Sequence, residues 1–361
     1  MEIDPNVELL PDIPIAGPEE DWLDRSRVSQ RLIELATAPP TTAPRVVALT
    51  GEPGAGKSSV LRMVTAALTD MPGTASISID AATHSSAQAV NVALVGELTK
   101  LFTEAGVVEA GDKIRNTLTS YGGFIASVVR LAGVKVDVAG ALERSPDAMR
   151  IELAENLEQL GRRIVIVVDH VDRLPLAEVG SVLAAQRMYS QLPFVAVVLA
   201  LDRHGLVQAH ARTPAGDPLA FERMVQVELE LSPAPRALLA RVIYSGLERI
   251  ANRTQLDLDA VIPLFDLEGG LAMDLIRTPR DAKRAINALA AALPLATGQD
   301  LHALAIEVVL RVLVPEIDPA RLVARQQVID REALLVELGG KLPPRREAAA
   351  RAALRAILLR S

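Results

Sequence analysis

Residues 51–58 read Gly51-Glu-Pro-Gly-Ala-Gly-Lys-Ser58, a G-x-x-x-x-G-K-S run whose chemistry suits a polyphosphate. Glycines let a backbone turn with φ > 0 and approach phosphate oxygens without a clash at Cβ. Successive N–H groups and a helix N-terminus then face the anion. In such a loop Lys57 sets a point charge on the β- and γ-phosphates, and the Ser58 hydroxyl ligates Mg²⁺. The residues expected around ATP·Mg²⁺ are therefore Gly51, Glu52, Pro53, Gly54, Ala55, Gly56, Lys57, Ser58 and Ser59.

The metal needs an acid as well. In Ile164-Val-Ile-Val-Val-Asp-His-Val-Asp-Arg173, apolar β-branched residues run straight into Asp169, as a buried strand does when it delivers a carboxylate to the edge of a site. Asp169 is expected to hold Mg²⁺ through water, so the metal set is Ser58 and Asp169. Asp202 ends a second such run, Leu199-Ala-Leu-Asp-Arg203. If that strand lies between the loop's strand and the one ending in Asp169, its tip faces the γ-phosphate. Asp202 would then sense phosphate or orient water, and it can equally cap a helix starting at Arg203. Asp172 and Arg173 can shape the site or cap the next helix. His170 stands between the two acids. A neutral imidazole there either accepts a proton as a catalytic base or, lacking a carboxylate's charge, leaves hydrolysis slow or carried by Asp172 or Asp202.

Positioning these groups requires strands that alternate with helices. Strands are expected at 45–50, 75–80, 164–168, 193–201 and 224–229, and helices at 24–36, 57–70, 87–104 and 145–160. Short, nearly continuous apolar strands separated by helices indicate an α/β fold with a mostly parallel sheet covered on both faces. After Ser232-Pro-Ala-Pro235 the pattern becomes helical only. The expected domains are an N-terminal segment over 1–30, extended at least to Pro18 and packing on the core, then a nucleotide-binding domain over 31–231. A helical lid and C-terminal domain covers 232–361. Residues 106–144 form an insert, irregular or helical, and 347–360 an Ala-rich helix.

Bulk properties narrow the function. No run reaches the roughly 18 apolar residues of a membrane span, and the acidic N-terminus does not read as a secretory signal. The chain has no cysteine, which excludes disulfides and thiolate metal sites and fits a cytoplasmic location. A net charge of -7 and 2% aromatics argue against a nucleic-acid coat or a base-stacking array. Charge is uneven: residues 1–24 hold eight acids without Lys or Arg, whereas 341–361 hold six Lys or Arg against one Glu. The last helix, with Arg351 and Arg355 one turn apart, is either a solvated face or a docking surface for a partner, lipid or nucleic acid.

Several stretches together resemble the KAP family of P-loop NTPases, which takes its name from a neuronal receptor scaffold and a plasmid phage-exclusion protein. Asp12-Ile-Pro-Ile15, Glu19-Glu-Asp21 and Arg25 look like its "D-x-P-I … E-x-D … R" segment. Val168-Asp-His-Val-Asp-Arg173 is similar to its extended Walker B, hydrophobic-D-D-x-D-R, and Leu199–Arg203 to its sensor strand. Phe221-Glu-Arg-Met-Val-Gln226 resembles its "L-E-K-h-h-Q" strand, and Arg277-Thr-Pro-Arg-Asp-Ala-Lys-Arg-Ala-Ile-Asn287 its "N-P-R-x-h-K-R-h-h-N" helix. There are departures. The family's second strand usually ends in F-N-A-W, here Ile79-Asp-Ala-Ala82, and its second Walker B acid is here His170. Many members carry membrane helices between the two Walker motifs, where this chain has no apolar run long enough.

The resemblance implies an ATPase acting as a nucleotide-driven switch. Its lid arginine, Arg280, would reach the γ-phosphate, and its output would be a change in contacts with a protein partner. A role in phage defence is implied by analogy. An arginine supplied in trans would need a homo-oligomer. The alternatives are a non-hydrolysing nucleotide-bound scaffold that recruits partners through its helical region, and a nucleic-acid-stimulated ATPase.

Overall fold

The β-branched runs form five parallel strands, β1 (Val46–Thr50), β2 (Thr74–Asp80), β3 (Arg163–Asp169), β4 (Val195–Leu201) and β5 (Val227–Glu230), in the order β2-β3-β4-β1-β5. Helix α1 (Ser26–Thr37) precedes β1, and between the strands lie α2 (Lys57–Thr69), α3 (Ala87–Glu104), α4 (Pro146–Leu160), α5 (Leu176–Ser190), α6 (Arg203–Arg212) and α7 (Ala220–Met224). The structure, a computed structural model, describes residues 9–39, 46–105, 146–212, 220–268, 270–295 and 300–315. The expected insert at 106–144 and helix at 347–360 lie outside the described residues.

Side-chain alternation explains why both faces are covered. On β3, Ile164, Ile166 and Val168 join one core with Leu94, Leu98 and Phe102 of α3, Leu153 and Leu157 of α4, and Val182 of α5. Val165 and Val167 point the other way, to Leu32 of α1 and Val60, Val64 and Leu68 of α2. All five are 0% exposed, and each such burial contributes about 1.5–3 kcal/mol. The mostly parallel sheet covered on both faces is therefore the fold.

Two expected strands are corrected at their starts, since Pro193 and Phe194 are turn residues before β4 begins at Val195. Residues 224–226 are not strand, since Met224 ends α7 and β5 starts at Val227. The pair Met-Val carries no period that separates helix from strand. Gln226 instead joins the sheet's border through its side chain: Val46 N–H donates to its Oε1 at 2.7 Å, and its own N–H donates to Val46 O at 3.1 Å.

The chain divides into two units, Pro14–Ser232 and Met1–Ile13 with Pro233–Ser361. In the first, Asp21 starts α1 by accepting from Ser26 N–H at 2.7 Å and Ser26 Oγ–H at 2.5 Å, and Arg25 donates to Ser232 O at 2.7 Å. Burial raises the Asp21 pKa, but the Ser26 hydroxyl and nearby backbone N–H groups outweigh it and hold the carboxyl below its ordinary range. A depressed carboxylate contributes stability above its unfolded pKa and loses it as pH falls through the folded value. Asp21→Ala is thus expected to cost about 1 kcal/mol at neutral pH. The gap from wild type should shrink as pH falls below the ordinary aspartate range, read by thermal unfolding across pH.

The other unit holds α8 (Arg236–Thr254), α9 (Leu271–Leu275), α10 (Pro279–Ala292) and α11 (Leu301–Leu313). Helix α10 begins with Pro279 after a capping box in which Thr278 and Asp281 satisfy each other's backbone N–H groups. Gly246 lets α8 approach α10 closely, because a Cβ there would run into Ile286. Gly246→Val is expected to destabilise by about 2 kcal/mol through overpacking, measured by denaturant unfolding. Along one face of α10, Arg280, Lys283 and Asn287 hold the N-terminal residues. Arg280 Nε meets Asp12 Oδ2 at 2.8 Å, Lys283 Nζ donates to Pro11 O at 2.8 Å, and Asn287 exchanges two bonds with Leu10.

Candidate functional site

Parallel strands end at one sheet edge, so Thr50, Asp80, Asp169 and Leu201 share it. Parallel register sets Asp80 beside Asp169 and Thr50 beside Leu201. Strand β4 lies between β1 and β3. That is the arrangement in which Asp202, just past β4, comes to the mouth of the loop.

The loop leaves β1 and turns through Gly54 (φ 82°) and Gly56 (φ 103°), left-handed positions that glycine adopts without Cβ strain. A Cβ on Gly56 would meet nothing within 4 Å, so the backbone is open on that side, just ahead of α2. Lys57, the first residue of α2, folds back across the loop and donates from Nζ to Gly51 O at 2.8 Å and Glu52 O at 3.2 Å. It is 7% exposed. Burial pushes its ammonium below the ordinary lysine range, and the negative fields of Asp172, Asp202 and Asp169 oppose that shift. Three carboxylates at or just past two strand ends thus act on one buried cation, with Arg173 acting against them.

Each nominated acid has a definite setting. Asp169 Oδ1 accepts from His170 N–H at 2.7 Å. Asp172 lies in the single 3₁₀ turn Val171–Arg173, and its Oδ1 is buried without a hydrogen-bond donor among the described residues. Neither Asp172 nor Arg173 caps the following helix, whose N-cap position is Pro175. Asp202 is nearly buried and does cap α6, accepting from Gly205 N–H at 3.0 Å. Its neighbour Arg203 pairs with Glu222 and Glu228, both at 3.1 Å, and stacks over Phe221. Arg280 belongs to the other unit, where Asp12 holds it.

His170 has φ 56°, a left-handed conformation that costs a non-glycine residue on the order of 1 kcal/mol. The turn brings its ring between two polar groups: Nε2 lies 3.2 Å from Ser58 Oγ, and Nδ1 lies 2.9 Å from Asp80 Oδ1. Asp80 is a member of the site that the sequence reading did not nominate. Its signal was the carboxylate ending Ile77-Ser-Ile-Asp80, but only the β2–β3 register brings it to His170.

The donor set fits a hydrated Mg²⁺. Such a site needs one hydroxyl and one or two carboxylates beside phosphate oxygens, with water filling the remaining positions. Ser58 would ligate it and Asp169 would hold its water. The orphaned Asp172 Oδ1 is the kind of buried acceptor that a metal-bound water satisfies. Among the described residues no three His, Cys, Asp or Glu side chains are grouped to hold a metal by themselves. When bound, the ion would neutralise charge between the β- and γ-phosphates.

A parallel sheet with an inserted strand, a glycine-rich loop running into a helix, and an acid on the neighbouring strand's tip together define a P-loop NTPase domain. The model of the KAP family P-loop domain matches residues 25–296, and the chain belongs to that family. No curated protein matches the chain significantly. Among solved structures it is similar to Cdc6p from Pyrobaculum aerophilum, at 14% identity and TM-score 0.44, over 92% of this chain and 80% of that one. It is also similar to the Aeropyrum pernix ORC1 protein in complex with DNA, at 20% identity and TM-score 0.40, over 88% and 71%. For Drosophila ORC bound to DNA the values are 14% and 0.32, over 94% and 82%. Among the described residues no helix is long and apolar enough to cross a membrane.

Proposed function

We propose that the chain is a slow, Mg²⁺-dependent ATPase that works as a nucleotide-driven switch, changing its contacts with a protein partner. The observation that carries this reading is the buried Lys57 ammonium at the mouth of the loop, inside the field of Asp172, Asp202 and Asp169. Lys57 would leave its two carbonyls for the β- and γ-phosphates, while Ser58 and Asp169 serve the metal. Asp202 would orient water or sense the γ-phosphate. Arg280 would be the sensor of the helical region. The switch role rests on family likeness, and phage defence on analogy alone.

One observation favours the non-hydrolysing scaffold as a second reading. His170 Nε2 already faces the Ser58 hydroxyl, so it is not free to take a proton from water. Phosphate release from ATP by the purified chain, with Mg²⁺ and with EDTA, separates the readings when binding of a fluorescent ATP analogue is followed in parallel. Release that stops in EDTA supports the ATPase. Binding without release supports the scaffold, and absence of both overturns the two together.

A further inference from the structure

Asp80, which stands where the family's pattern has asparagine, and His170, which stands where it has an acid, are in contact. We infer that Asp80 is a positioning residue for the metal site, acting through His170 on the Ser58 hydroxyl. The inference rests on the proposed Mg·ATP reading and assigns it a mechanism.

The hydrogen-bond chemistry leaves one arrangement for a neutral ring. A carboxylate only accepts, so the nitrogen 2.9 Å from Asp80 Oδ1 must carry the proton, and that nitrogen is Nδ1. Asp169 Oδ2 is 3.6 Å from the same nitrogen, beyond hydrogen-bond range, so Asp80 is the partner that sets the tautomer. With the proton on Nδ1, Nε2 is an acceptor. The Ser58 O–H, 3.2 Å away, then donates to it. Its proton is drawn toward the ring, and the oxygen lone pairs are left for a cation. A carboxylate that fixes the tautomer and orientation of a histidine is how outer partners tune metal sites elsewhere; here the histidine orients a ligand and is not one itself.

Asp80 is itself held in place. Its Oδ1 also accepts from Ala82 N–H at 3.0 Å, capping the 3₁₀ turn Ala81–Thr83, and Thr83 Oγ–H donates to its backbone carbonyl at 2.8 Å. The backbone that carries the ring is held by the His170 main-chain N–H bond to Asp169 Oδ1. The relay Asp80–His170–Ser58 therefore joins the tips of β2 and β3 to the first turn of α2 with no link left loose.

The test has two readouts. Nitrogen NMR of the histidine rings at about pH 8, above the usual imidazole range, reports the tautomer without nucleotide, with His170 assigned from its absence in His170→Gln. The wild type is expected to show the proton on Nδ1, and finding it on Nε2 overturns the inference. The second readout is the affinity for a fluorescent ATP analogue with Mg²⁺ and with EDTA. In Asp80→Ala the gain in affinity from Mg²⁺ is expected to fall about 10-fold or more, with affinity in EDTA unchanged. Asp80→Asn, whose amide oxygen can still accept from Nδ1–H, is expected to keep both the tautomer and most of that gain. A variant that keeps the tautomer and loses the gain, or the reverse, overturns the relay. Equal losses with Mg²⁺ and EDTA overturn it too, since that is what a merely structural role would give. A wild type that binds no nucleotide at all instead removes the proposed function, and this inference with it.

Discussion

Lys57→Ala is expected to weaken binding of an ATP analogue at least about 100-fold and to take phosphate release below detection. A hydrogen bond made by a charged group contributes about 1.5–3 kcal/mol, and Lys57 would make one to each of two phosphates, so a loss near 3 kcal/mol is a minimum. The substitution also uncovers the three carboxylates whose fields the ammonium offsets, and an anionic nucleotide would then approach Asp169, Asp172 and Asp202 without a counter-charge. Stability should change far less than affinity. Removing the ammonium relieves its desolvation, the dominant effect on its pKa, while it strands the partners that stabilise its charge. The two opposing effects are expected to leave the unfolding free energy within about 2 kcal/mol of wild type. Titration with the analogue beside thermal unfolding checks both statements, and an affinity within threefold of wild type would contradict the role given to Lys57.

What was legible in the sequence follows a physical division. The strands were readable because a strand buried on both faces must be a run of β-branched apolar residues, and Ile164–Val168 has no other solution. The loop was readable because phosphate contact demands glycine at left-handed positions, which Gly54 and Gly56 occupy. Register and partnership were not readable. Nothing in residues 74–80 says that β2 lies beside β3, so Asp80 looked like an ordinary strand end. The motif-like residues also carried no sign of what they touch. Asp12 and Arg280 lie 268 residues apart and bind each other. Glu222 serves Arg203, and Gln226 closes the end of β1 from outside any strand. His170 was marked by its type, but its left-handed backbone and its two partners emerge only when the strand tips are assembled.

The double variant Asp80→Asn with His170→Asp is expected to raise the rate of phosphate release at least about 10-fold over wild type. A positioned acid–base group contributes about 10²–10⁴-fold, and a histidine engaged by Ser58 realises little of that. The single change His170→Asp should do less. It would set a third carboxylate against Asp80 and Asp169, which lie abreast in the β2–β3 register, and the like charges would repel one another. A carboxylate so repelled is turned away from the position a general base needs. Asp80→Asn removes the competing charge and keeps an oxygen for the Ala82 N–H, so the cap of the 3₁₀ turn survives. The rates should therefore be non-additive: Asp80→Asn alone near wild type, His170→Asp alone modestly changed, and the pair well above either, as coupled neighbours behave in a double-mutant cycle. Steady-state phosphate release at saturating Mg·ATP measures all four proteins. A double variant no faster than wild type would mean that the histidine is not what limits hydrolysis, and a double variant that is inactive would make His170 itself the base.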